Sequence, residues 1–187
     1  MATDDHGKIK FGVLLDMDAM TRDEPKRILQ QAAGFYKVEQ HLVAKEPADR
    51  DEAVGLAMTT CLLQAFISEL MLKCLICIER GFTPRGHDLL ALFNELTAPT
   101  RTRLEVMWTD YVGRYPDQSE AAKEIGVTIE PTLTSALAAG MRAFELIRYW
   151  YEDPDEQYVF YLGALPRMLF LVAFELRPDW AAPPAST

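Results

Sequence analysis

The longest apolar run of the chain covers residues 53–80 and contains no proline. Because few polar residues interrupt this run, the pattern predicts a helix that is buried on most sides. At about 100° per residue, Glu69, Lys73 and Arg80 fall on one narrow stripe of that helix. Glu69 and Lys73 also have the spacing and order of a favourable ion pair within a helix. Since an unpaired buried charge is costly, this stripe must find partners or face water.

A break rich in glycine and proline, residues 81–86, follows the long helix. A second helix is expected to begin at His87, where Asp88 is placed to cap it or to complement its dipole. Asp49 or Asp51 can cap the start of the long helix in the same way. The pattern therefore predicts two consecutive helices joined by a short turn.

Apolar spacing predicts four further helices, over residues 24–44, 101–114, 132–151 and 157–176. Pro166 should kink the last of these or split it in two. We see no strand pattern and no linker long enough to separate two domains. The predicted fold class is therefore all-α, a single helical bundle of about six helices.

The length of 187 residues suits one domain. We expect an N-terminal arm over residues 1–22, the bundle over 23–177 and a flexible tail over 178–187. The N-terminus lacks the apolar region of a secretory signal, and each long apolar run is interrupted by polar residues. All three cysteines lie in the long apolar helix, where buried, unreactive thiols are expected. These features favour a cytoplasmic protein without a membrane partner.

The formal net charge of −9 disfavours broad, nonspecific binding of nucleic acid. A local basic patch is still compatible with this charge, and its densest candidate is Arg101 with Arg103, with Arg80 and Arg85 possible neighbours. The alternative is that these arginines are solvated near helix ends. No histidine has the spacing of a metal-ligand motif, so we predict neither a metal site nor a cofactor.

A group of charged or titratable residues comes from three separate segments: Glu69, Lys73, His87, Arg148 and Glu152. Two of these segments are apolar helices that should be neighbours in a small bundle. If their charged stripes face each other, Glu69 pairs with Arg148 and Lys73 with Glu152. Such a cluster either fixes the fold as a satisfied buried network or, together with Asp88, lines a pocket for a nucleotide or phosphate.

An apolar helix with Glu-x-x-x-Lys, a Gly/Pro break and then Arg-Gly-His-Asp-Leu-Leu-x-Leu-Phe resembles the HEPN-like family (higher eukaryote and prokaryote nucleotide-binding). The matching residues are Glu69, Lys73, Gly81, Pro84, His87, Asp88, Leu89 and Phe93. Residues 143–152 are similar to a phenylalanine–arginine–tyrosine–glutamate helix that such proteins often carry near the C-terminus. The resemblance implies an all-helical bundle, often dimeric. Some members are ribonucleases of toxin or defence systems, and others have no known chemistry.

Ribonucleases of that family carry an arginine, a short spacer and then a histidine, which Arg80 and His87 match with six intervening residues. The resemblance implies a metal-independent reaction in which His87 is the general acid or base and Arg80 stabilises charge on the phosphate. In those nucleases, however, the motif lies on a later helix, where this chain has Arg148 and no histidine after it. Enzyme activity therefore stays open.

The first hypothesis is an RNA- or nucleotide-directed protein of stress or defence systems, either a weak ribonuclease or an inactive relative. As partners, the resemblance implies RNA or a nucleotide, and a nucleotidyltransferase or antitoxin encoded alongside. The apolar last helix and the arm offer surface for self-association, so we expect a homodimer. The alternative function is a noncatalytic helical module for interaction or for binding a small ligand.

Overall fold

The computed structural model describes residues 23–115, 129–140 and 161–180. Within these ranges the chain forms six α-helices and one short 3-10 helix, and no strand. The helices are α1 Glu24–Val43, α2 Arg50–Arg80, α3 Leu89–Glu95, α4 Ala98–Arg114, α5 Leu133–Gly140 and α6 Leu165–Leu176, followed by the 3-10 helix Pro178–Trp180. The prediction of an all-α bundle of about six helices is confirmed. The predicted arm, residues 1–22, lies outside the described residues.

The central helix of the bundle is α2, which packs against α1, α3 and α6. Its C-terminal half forms the middle of the core, where Met71, Leu72 and Leu75 have no exposed surface. Among the described helices, α2 alone is long and apolar enough to cross a membrane, but 56% of its most apolar stretch is buried inside the protein. This burial is typical of a core helix.

The ends of α2 and the start of α3 follow the signals in the sequence. The Asp49 carboxylate accepts a hydrogen bond from the backbone N–H of Glu52 at 2.8 Å, and Asp88 accepts one from Ala91 N–H at 2.9 Å. Both side chains therefore satisfy backbone donors that the first turn of a helix leaves unpaired. Gly81 ends α2 with a φ of 76°, in the left-handed region that favours glycine.

Three helices begin elsewhere than the sequence pattern indicates, the first being α3, which starts at Leu89 rather than His87. Helix α4 starts at Ala98 rather than 101, because Pro99 fits the first turn, where its missing N–H would have no partner within the helix. Residues 161–164 are not helical, so the prediction of a helix from 157 is wrong over these four positions. Pro166 lies in the first turn of α6 and starts this helix instead of kinking it.

The bundle continues to Trp180, beyond the predicted boundary at residue 177. Trp180 is only 9% exposed, and the guanidinium carbon of Arg177 lies 4.3 Å from the centre of its ring. A cation over an indole face is an attractive arrangement. Trp180, which we assigned to the tail, is thus packed on the bundle, whereas Pro178 and Asp179 are exposed, and residues 181–187 lie outside the described residues.

Candidate functional site

Three of the predicted site residues meet where the start of α3 returns to α2. The carboxylate of Glu69 accepts a hydrogen bond from Lys73 Nζ at 2.9 Å. His87 Nδ1 lies 3.0 Å from each of the two Glu69 oxygens. We call these three residues the Glu69 cluster. Both Glu69 and Lys73 lie on α2, one turn apart, and His87 comes from the loop that precedes α3.

Exposure to solvent increases across the cluster, from Glu69 to Lys73 to His87. The exposed fraction of the side chain is 5% for Glu69, 14% for Lys73 and 74% for His87. A buried carboxylate therefore holds one edge of an imidazole ring that is open to solvent. The ammonium group of Lys73 offsets the cost of burying this carboxylate.

The partners of Glu69 define the tautomer of His87. An ionised carboxylate can only accept hydrogen bonds, so the Nδ1 atom of His87 must be the donor. When this ring is neutral, the lone pair is then on Nε2. A carboxylate that orients a histidine in this way is the arrangement that serves general acid–base catalysis. The geometry gives His87 the form that a general base requires.

Two glycines shape the loop that returns the chain to α2. Gly81 has a φ of 76° and Gly86 a φ of 98°, both in the region that side chains rarely adopt. Gly86 directly precedes His87. A residue with a side chain at either position would be strained, so these glycines let the chain reverse and present His87 to Glu69.

The other predicted site residues have different environments. Asp88 is the N-cap of α3, and its capping hydrogen bond accounts for its position. Arg80 is exposed in the last turn of α2 and makes no hydrogen bond or ion pair within the described part of the chain. Arg148 and Glu152 lie outside the described residues, and so do their predicted pairings with Glu69 and Lys73.

Glu79 is an important carboxylate that sequence reasoning missed. It accepts hydrogen bonds from the backbone N–H of Thr97 at 2.9 Å, from the Thr97 hydroxyl at 2.7 Å and from the Thr100 hydroxyl. A side chain of α2 thus caps α4, and the Thr97 hydroxyl does not cap its own helix. Periodicity identifies helices but not such partners, because the donors lie on another element.

Glu105 has the same kind of role at the next helix. This residue of α4 accepts hydrogen bonds from the backbone N–H groups of Leu133 and Thr134, each at 2.9 Å, and from the Thr134 hydroxyl. The positive end of the α5 dipole favours a carboxylate there. Both glutamates connect helices and explain how α4 and α5 are held.

Glu39 is a buried carboxylate, and its position on the apolar face of α1 is the one signal for it in the sequence. It is 2% exposed and accepts hydrogen bonds from Gln64 Nε2 at 2.8 Å and Gln40 Nε2 at 2.7 Å. A polar residue at a position where the pattern expects an apolar one indicates a buried hydrogen-bond partner.

Of the arginines predicted for the basic patch, Arg103 has a carboxylate partner. Arg103 donates from Nε and Nη2 to the two oxygens of Glu175, at 3.1 and 2.6 Å. This two-point contact lowers the pKa of the Glu175 carboxyl and joins α4 to α6. Arg85, in contrast, is exposed in the loop before α3. The arginines considered for the patch therefore differ in their availability to a polyanion.

The thiols of α2 are shielded. Cys74 and Cys77 are buried, and Cys61 is half-buried. Burial raises the pKa of the Cys74 thiol to about 12, so this group is uncharged at neutral pH. Among the described residues, no group of three or more His, Cys, Asp or Glu side chains is arranged to hold a metal ion.

Comparison of the chain with protein-family models, with curated proteins and with solved structures gives no match.

Proposed function

We propose that this chain is a HEPN-like helical protein directed at RNA, with the Glu69 cluster as its acid–base centre. The observation that carries the proposal is the hydrogen bond between buried Glu69 and exposed His87, at 3.0 Å. It orients a histidine at the surface, within the stretch whose residues resemble that family. The all-α fold is compatible with this assignment.

The proposed reaction is metal-independent cleavage of an RNA strand. His87 accepts the proton of a ribose 2′-hydroxyl through Nε2, and the resulting oxygen attacks the adjacent phosphorus. The bond to the 5′-oxygen breaks, this leaving oxygen takes up a proton from water, and His87 then returns the proton it accepted to water. The products are a 2′,3′-cyclic phosphate and a free 5′-hydroxyl. Arg80, exposed at the end of α2, stabilises the added negative charge on the phosphate.

The test is cleavage of a labelled single-stranded RNA by the purified protein in EDTA. We expect His87→Ala to lower the rate at least about 100-fold, the lower end of what a general acid or base contributes. Arg80→Ala should also lower the rate. His41→Ala is the matched control, because His41 is an exposed histidine whose Nδ1 contacts the Lys37 carbonyl oxygen in α1. Equal cleavage by all four proteins, or cleavage by none, would remove the nuclease assignment.

The alternative function is a noncatalytic helical module in which the Glu69 cluster only fixes the fold. It is favoured by the burial of the Lys73–Glu69 pair, whose side chains are 14% and 5% exposed and satisfy each other without a ligand. Under this alternative, Lys73→Ala lowers the melting temperature and changes no binding or cleavage. Under the nuclease proposal, variants of His87 change the cleavage rate with little change in stability.

We further propose that the protein acts as a cytoplasmic homodimer in a stress or defence system. Support for self-association comes from large apolar side chains at the surface, among them Phe82 at 49% and Leu171 at 45% exposure. Sedimentation velocity at micromolar concentration tests the dimer, and a monomer under these conditions would contradict it. A nucleotidyltransferase or antitoxin is the partner we propose to look for by co-purification.

A further inference from the structure

A second candidate site is a cleft of about 720 Å³ between α1, α4 and residues 161–171. Small-molecule sites have volumes of roughly 300–1,000 Å³, so the cleft has room for a ligand of ordinary size. None of the three residues of the Glu69 cluster is among its described lining residues. The cleft is therefore a separate site from the Glu69 cluster.

Aromatic side chains form the walls of the cleft. Tyr36, Tyr111 and Tyr161 line it, and the hydroxyls of Tyr111 and Tyr161 are 2.6 Å apart. The rings are supported from behind, since Trp108 lies 6.4 Å from both Tyr111 and Tyr161 between ring centres. Burial raises the pKa of Tyr36 and of Tyr161, so both remain neutral phenols at neutral pH. Fixed, neutral tyrosines are good surfaces for stacking a planar ligand.

A carboxylate, that of Glu39, lies at the interior end of the cleft. Glu39 lines it, and its two hydrogen bonds within the described residues come from neutral amides, those of Gln64 and Gln40. A carboxylate has about four acceptor sites, so Glu39 can accept a further donor over the 2% of its surface that stays exposed. This end of the cleft therefore favours N–H or O–H groups on a ligand and repels an anion.

The rim of the cleft carries positive charge. Arg167 lines it, is exposed, and makes no hydrogen bond or ion pair within residues 23–115, 129–140 and 161–180. Arg114 has only a long contact of 3.8 Å with Asp110, and both side chains are more than half exposed. Exposed pairs of this kind are weak, so both guanidinium groups remain available to an anion.

We propose that the cleft binds a small aromatic anion, with a donor-bearing ring between the tyrosines and a phosphate or carboxylate at the rim. The ring donors meet Glu39, and the anionic group meets Arg167 and Arg114. The reverse orientation would place two negative charges together in the interior. The site thus selects molecules in which donors and anion lie at opposite ends.

Isothermal titration calorimetry of the full chain with two probes tests the proposal. The two probes show whether the bound anion is a phosphate or a carboxylate. Guanosine 5′-monophosphate carries a phosphate, and 4-aminobenzoylglutamate carries carboxylates; each has an aromatic ring with N–H donors. We expect at least one of them to bind saturably below about 1 mM. Guanosine, which lacks the anion, and inorganic phosphate, which lacks the ring, should each bind at least about tenfold more weakly than guanosine monophosphate.

A pair of arginine variants locates the binding. Arg167→Ala should raise the Kd of the probe at least about tenfold, because a hydrogen bond to a charged group is lost. Arg27→Ala is the matched control, because Arg27 is also exposed but lies in the first turns of α1 and does not line the cleft. Absence of saturable binding by both probes would overturn the proposal. So would equal affinity of Arg167→Ala and wild type, or phosphate binding as tightly as the whole nucleotide.

Discussion

Glu69 and Glu79 lie on the same helix, three turns apart, and each is the centre of a hydrogen-bonded cluster. The partners of Glu69 are groups that carry or can take a positive charge, Lys73 and His87. The partners of Glu79 are a backbone N–H and two hydroxyls, from Thr97 and Thr100. In the first cluster, a protonated His87 can give a proton to Glu69 or take one back. In the second cluster, the backbone N–H and the hydroxyls that contact Glu79 do not give up their protons at neutral pH. The type of partner, more than burial, separates a candidate reactive group from a structural cap.

The largest effect on stability should come from breaking the charge pair. Glu69→Leu leaves the ammonium group of Lys73, only 14% exposed, without its carboxylate. We expect a loss of about 3 kcal/mol in the free energy of unfolding, as for other broken buried pairs. Urea denaturation measures this change.

The matched control for that change removes both charges together. In Glu69→Leu combined with Lys73→Met, no unpaired charge remains, and most of the lost stability should return. If the double variant is as unstable as the single one, the stability of the cluster does not depend on the charge of Lys73.

A smaller loss, about 2 kcal/mol, is expected for Glu79→Ala, because three donors at the start of α4 lose their acceptor. Thr100→Val removes one of these donors with little change in shape. A double-mutant cycle on Glu79 and Thr100 should give a coupling of about 1 kcal/mol. Strictly additive losses would show that the hydroxyl of Thr100 contributes nothing through Glu79.

These two clusters also show what the sequence could and could not predict. The spacing of Glu69 and Lys73, the helix break and the capping role of Asp88 are local features, and each is found in the structure. The three donors to Glu79 come from residues 18 and 21 positions away, which no helical period indicates. Local pattern therefore predicted the helices and one polar cluster, and missed the carboxylates whose partners are distant in sequence.

A third carboxylate, Glu175, lies at the surface, and its contribution to stability can be compared with those of the Glu69 and Glu79 clusters. It is held by Arg103, and the two side chains are 47% and 48% exposed. Arg103→Ala should lower the free energy of unfolding only slightly at pH 7, and by less than either change above, since exposed pairs are screened by water. Comparison of urea midpoints with wild type measures this difference.

The pH dependence of that small difference follows from the lowered pKa of Glu175. The hydrogen bonds from the Arg103 guanidinium hold the pKa of this carboxyl below its ordinary value in the folded protein. The pair therefore stabilises the fold above the unfolded pKa, and its contribution is lost as pH falls through the folded value. Near pH 2, the two proteins should differ little. A difference that persists there would have to come from packing rather than charge.

The smallest effect is expected for alkylation of the native protein at the two thiols that lie between Glu69 and Glu79 in the sequence. Cys74 and Cys77 are buried, and the Cys74 thiol has its pKa raised to about 12 by burial. Native protein at pH 8 should not be alkylated by iodoacetamide at these positions within an hour, whereas urea-unfolded protein should be. Mass spectrometry of peptides reads this out, and rapid native alkylation of Cys74 would show that α2 opens.

The central claim is that Glu69 orients His87 for acid–base chemistry, and the tautomer of the His87 ring tests it most directly. Long-range proton–nitrogen NMR at pH 8, with the signals assigned through His87→Ala, reports which ring nitrogen carries the proton. Because Glu69 accepts from Nδ1 at 3.0 Å, the Nδ1–H form should dominate, and Glu69→Leu should shift the ring toward the Nε2–H form. A ring that is mainly Nε2–H in the wild type, unchanged by Glu69→Leu, would contradict the account.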